Sequence, residues 1–158
     1  MGTIIDEALL YRFGVALVIG LLIGLQREYA FRHRDGLLAD GLLAGARTFP
    51  LIALLGTCGA LVADEVSAAL PIIGAPVVLG ALLVVAHYRR SQHAETGLTT
   101  EIAALLTFFI GTLAYWDQLE IAAALGVTTA VLLALKVQTH SFACTLDRED
   151  VYATLKFG

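Results

Sequence analysis

Charge is what this sequence has least of. Only 15% of its 158 residues are charged, against about 25% in soluble globular domains. Apolar residues make up 58%, and the mean hydropathy is +0.81. A chain this poor in charge cannot dress an aqueous surface around its apolar residues, which excludes an ordinary soluble domain. Cysteine is nearly absent: Cys58 falls inside an apolar run and Cys144 beyond the last one, so they stand at different depths and no disulfide is expected. No cluster of Lys and Arg offers a nucleic-acid surface. Also missing are a phosphate-cradling Gly-rich loop, a GxSxG elbow, an HExxH pair and paired-Cys zinc spacing, so the chain is not expected to be an enzyme. His33, His87, His93 and His140 are scattered along the chain, which favours solvated or interfacial roles over a metal site.

What is present is a succession of apolar blocks: 8–26, 47–63, 67–88, 98–116 and 119–137. Each is close to the roughly 20 residues that cross a bilayer as a helix. The expected fold is therefore all-α, an integral membrane bundle of about five transmembrane helices over residues 1–138, with a short cytoplasmic tail at 139–158 and the lipid bilayer as first partner. The opening "MGTIIDEALL" is acidic where a cleavable signal is basic, so the first block is expected to stay as a helix. Asp6 occupies the position where myristoylation expects Ser or Thr. Pro50 and Pro71 suit first helical turns, whereas Pro76 falls inside the third helix and predicts a bend.

The ten basic residues set an orientation. All but Arg12 lie on alternate connections: Arg27, Arg32, Arg34 and Arg47, then Arg89 and Arg90, then Lys136, Arg148 and Lys156. The intervening turns carry Asp64 and Glu65, and Asp117 and Glu120. The positive-inside rule then puts the N-terminus outside and the C-terminus in the cytoplasm. Tyr29, Phe31 and Tyr88 fall at the inner boundaries and Tyr11, Tyr115 and Trp116 at the outer ones, as an aromatic belt requires. Asp35-Gly36-Leu37-Leu38-Ala39 is followed at once by Asp40-Gly41-Leu42-Leu43-Ala44, a tandem repeat too apolar for a free loop and suited to the inner interface.

At the inner boundary several blocks bring polar residues to one depth. Arg27 and Glu28 end the first, Arg47 and Thr48 open the second, and Thr100 and Glu101 begin the fourth. Ionisable groups within spans are usually paired or line a wet cavity. These six residues are therefore the candidate polar cluster or ion site, with Arg47 expected to pair with Glu101. Anchoring by the arginines, and capping by Thr99 or Thr100 with a dipole-favoured Glu101, explain the same residues without function. Gly20 and Gly24 form a GxxxG pair for close helix packing, either inside the chain or at a subunit seam.

The segment Gly20-Leu21-Leu22-Ile23-Gly24-Leu25-Gln26-Arg27-Glu28 resembles the GxxIGxERE-like end of the first helix in MgtC/SapB-type membrane proteins. Ala44-Gly45-Ala46-Arg47-Thr48 is similar to that family's AGLRT signature, and Gly97-Leu98-Thr99-Thr100 to its GLTT segment. The resemblance covers about residues 14–112. Gln26 replaces the family's acidic residue and Ala46 its leucine. The segment from Asp147 to Lys156 is similar to the stretch that leads into a second membrane region in longer relatives, so a short form and a fragment are both open.

The resemblance implies a link to magnesium homeostasis and to survival in low magnesium or acid, in the cytoplasmic membrane of a bacterium or archaeon. Three activities stand open: a transport protein that moves divalent cations, a non-transporting regulator that binds another membrane protein, and a structural membrane module. Mg²⁺ takes oxygen ligands and keeps several waters, so Glu28 and Glu101, with the hydroxyls of Thr48 and Thr100, form the candidate outer-sphere metal site. Arg47 opposes it by charge. A homodimer with Gly20 and Gly24 at its seam is the expected assembly.

Overall fold

The computed structural model describes residues 7–35, 46–91 and 98–135, and among these the regular elements are all helices. α1 spans Glu7–Asp35, α2 Thr48–Val66, α3 Leu70–Ser91 and α4 Thr99–Tyr115. α5 spans Leu119–Leu135. Residues 36–44 of the tandem repeat, His93, Gly97, His140, Cys144 and the 139–158 tail lie outside the described residues.

The helices do not stop where the apolar blocks stop. α1 runs on past Gln26, because Arg, Glu and Ala are good helix formers and charge alone ends no helix. α2 keeps Asp64 and Glu65 in its last turn and ends at Ser67, which takes the left-handed conformation (φ 51°, ψ 40°). The Ala68 N–H then donates to Ala63 O at 3.0 Å. The α4–α5 turn repeats this closure: Asp117 is left-handed (φ 62°), and the Gln118 N–H donates to Leu113 O at 3.0 Å. Both are the six-to-one bond that satisfies carbonyls orphaned at a helix C-terminus. Pro71 follows in the first turn of α3, and Pro76 lies inside that helix.

Side-chain size is distributed as hydrocarbon requires. Leu51, Leu70, Val77, Leu82 and Val84 are exposed, while Ala16, Ala53, Ala60, Ala103, Ala104, Ala114 and Ala122 are buried. Lipid is as apolar as leucine, so helices associate through close backbone approach rather than by hiding large side chains. α1 (as Glu7–Tyr29), α2 and α3 (as Leu70–Arg89) are long and apolar enough to cross a membrane, and α4 and α5 are shorter apolar helices.

α2 and α4 form the most extensively packed pair. They run in the same direction and lock reciprocally. A Cβ on Gly56 would collide with Phe108 O, and one on Gly111 with Ala53 O, so backbone rests on backbone from both sides. Thr57 Oγ1 lies 3.0 Å from Ala53 O and 3.1 Å from Gly111 O, sharing its proton between its own helix and the neighbour. Thr112 Oγ1 does the same with Phe108 O at 3.2 Å and Gly56 O at 3.3 Å. Ala53, Gly56 and Thr57 thus correspond one for one to Phe108, Gly111 and Thr112, across an approximate two-fold axis along the bundle.

α1 packs antiparallel to α2 through its two glycines. A Cβ on Gly20 would stand 2.9 Å from Phe49 O, and one on Gly24 3.1 Å from Ala46 Cα. α5 lies along α1, with Gly126 against Ile19 and with Arg12 paired to Asp117 at 3.6 Å just before it. α3 sits at the edge, the least buried of the three long helices. Between it and α2 runs a shallow, wholly apolar groove of about 340 Å³, lined by Leu55, Cys58, Gly59, Pro71 and Gly74 among others.

Candidate functional site

The basic end of the bundle, where α1 ends, α2 begins, α3 ends and α4 begins, gathers the polar residues singled out above. Each arrives there by helix length: the out-and-back order of α1 to α4 returns the chain to this end with Glu28, Arg47, His87 and Glu101. Tyr29 and Tyr88 stay exposed at the same end, and Tyr11 and Trp116 at the other.

Two contacts organise it. The first joins α1 to the start of α2: the Ala46 N–H donates to Glu28 Oε2 at 3.2 Å. Arg47, the N-cap residue of α2, supplies no side-chain cap, and the first turn carries no acidic residue. The carboxylate from α1 answers one amide at this bare N-terminus and faces the positive end of its dipole. Half-buried Arg27 precedes Glu28, and half-buried Thr48 opens α2.

The second contact joins α3 to α4. His87 Nδ1 lies 3.2 Å from Glu101 Oε1, with the His87 side chain 27% exposed and that of Glu101 10%. A carboxylate accepts and cannot donate, so Nδ1 carries the proton. Among the described residues Glu101 Oε2 is buried with no hydrogen-bond partner, and so is Thr100 Oγ1 beside it in sequence. The N-cap position of α4 falls to Leu98, which supplies no side-chain cap. Thr100 therefore does not cap the helix.

Three expectations change. Arg47 does not pair with Glu101: it stands exposed at the N-cap of α2, and the side chain that meets Glu101 is His87. Equal depth brought both residues to one end, but helix rotation aims them apart. His87, expected to be solvated or interfacial, is the residue that the reading of the sequence missed. Its only signal was its place one helix end away from Glu101. Gly20 and Gly24 are turned towards α2 and Ala46, where leucines or a second copy could not enter, so they form no exposed seam. Among the described residues no group of three or more His, Cys, Asp or Glu could hold a metal ion, and Glu28 and Glu101 are engaged by different neighbours.

The family comparison extends beyond the motif-bearing stretch at both ends. No curated protein and no solved structure matches the chain. The MgtC family does match, over residues 13–142, and the chain is a membrane protein belonging to that family.

Proposed function

We propose that this chain is a magnesium-linked membrane transport protein that moves a divalent cation, with the ion handled at the basic end and met there by Glu101. The observation that carries this reading is the buried Glu101 Oε2, which has no partner among the described residues. A carboxylate withdrawn from water at a membrane boundary is costly unless a cation, a proton or a donor offsets it, and His87 answers one oxygen only. Mg²⁺ as cargo keeps several of its waters and needs one or two carboxylates rather than a protein cage. Family membership supplies the link to magnesium.

The reciprocal α2–α4 lock leaves no room for an ion along that seam, and a second copy of the chain is proposed to complete the path. The basic end faces the cytoplasm and the N-terminus lies outside, in the cytoplasmic membrane of a bacterium or archaeon, on the strength of the basic residues on alternate connections. A second reading, regulation by docking on another membrane protein, is favoured by the same lock together with the exposed flank of α3.

Flux of Mg²⁺ into liposomes containing the purified protein, run beside Glu101→Gln, tests the first reading. Wild type dissipates an imposed gradient, and the variant is slower by about tenfold or more, the scale of losing one ion-orienting group. A gradient left untouched by folded, inserted wild type sinks the carrier reading. Co-purification of a second membrane protein from the native host then favours the regulator.

A further inference from the structure

His87 and Glu101 reach each other from different helices, and α3, which carries His87, is the peripheral one. The contact ties one oxygen of the carboxylate and leaves the other buried and, among the described residues, unanswered. A carboxylate free to rotate about its last bond would present either oxygen in either direction. One held at Oε1 presents Oε2 in a single direction. In metal sites, hydrogen-bond partners behind the ligand perform this task by fixing the ligand's orientation.

The identity of the donor matters as much as its position. An arginine here would also hold Oε1, but it would place a permanent positive charge against the carboxylate and repel an arriving cation. Imidazole can donate an N–H without carrying a charge. The neighbouring guanidiniums of Arg47 and Arg89 are both exposed.

We propose that His87 is a positioning residue for a cation site at the basic end of the α3–α4 flank: its Nδ1–H holds Glu101 Oε1 so that Oε2, which has no partner among the described residues, is left to take a divalent cation. This rests on the reading of the chain as a cation-handling protein, and adds to it the residue that sets affinity without touching the ion.

The test is a Mg²⁺ titration of the full chain in detergent, read as the thermal unfolding midpoint. Binding to the folded state raises the midpoint with ion concentration. Wild type shows a saturable rise, and Glu101→Gln shows none. His87→Ala keeps the rise but needs about 10–100-fold more Mg²⁺ to reach it, the usual effect of removing an outer-shell donor. His87→Asn, whose side-chain amide nitrogen falls near the position of Nδ1, restores the wild-type concentration dependence, a rescue that a merely structural role does not predict. Should His87→Ala fail to fold, His87→Gln replaces it, its amide one bond farther from the backbone: weakened affinity supports the proposal and wild-type affinity overturns it. Wild-type affinity in His87→Ala, or an Asn variant as weak as Ala, also overturns it. Flux without any Mg²⁺-dependent rise removes this inference and leaves transport standing, whereas a rise without flux leaves the site and removes transport.

Discussion

The α2–α4 seam and the basic end are built from similar parts, threonine hydroxyls and carbonyls in one, a threonine and two carboxylates in the other, yet they resolve their polarity in opposite ways. In the seam, Thr57 and Thr112 each divide a proton between two carbonyls, and two glycines bring the backbones together. At the basic end, Glu28 accepts from an amide of the α2 entry, while Glu101 and Thr100 keep a buried oxygen each with no partner among the described residues. Polar groups that are fully answered hold a membrane bundle together. Groups left partly unanswered cost stability, and they persist where something outside the chain answers them.

The comparison breaks most visibly if the seam tolerates a side chain. Gly56→Ala and Gly111→Ala each drive a methyl into the carbonyl of the facing helix, and neither backbone can yield without moving a whole helix. The expected loss is about 3 kcal/mol or more, the upper end of overpacking penalties. Thermal unfolding in detergent measures it, and a variant as stable as wild type shows that the two helices do not touch in this way.

Thr57→Val is gentler. It keeps the shape, removes one hydroxyl, and releases an interhelical bond to Gly111 O. Such bonds in membrane bundles are worth about 0.6 kcal/mol on average and up to about 1.7. Combined with Thr112→Val, the loss should exceed the sum or match it, since both hydroxyls bridge the same pair of helices. A gain in stability would mean that the seam is held by packing alone.

Glu101→Gln is the smallest expected change and the sharpest contrast. Gln retains an acceptor for His87 and discards a buried charge, so stability stays within about 1 kcal/mol of wild type or rises. Destabilisation on the scale of the glycine variants would place Glu101 among the structural groups and erase the distinction between seam and basic end.

How legible this was depended on the kind of residue. The polar layer could be found because Arg27, Glu28, Arg47 and Glu101 interrupt apolar runs at block ends, and block ends lie at membrane boundaries. The partner of Glu101 could not be found that way. Arg47 and His87 stand equally near the boundary, and the choice between them depends on which way each helix is turned. The seam was half visible. Gly56-Thr57 and Gly111-Thr112 are the same dipeptide in two apolar blocks, but nothing local says that the two copies face each other. Gly20 and Gly24 were readable as a packing face, and only the position of α2 shows that the face is already filled.

By itself the sequence determined that this is an all-α membrane bundle, because hydropathy is a sum over consecutive residues and needs no neighbour from elsewhere in the chain. Tertiary structure alone decided that α2 meets α4 through paired glycines and threonines, that Arg47 points away, and that His87 holds Glu101 by one oxygen. Those outcomes depend on the rotation and tilt of each helix. Contacts between residues far apart in sequence, such as Gly111 against Ala53, set both.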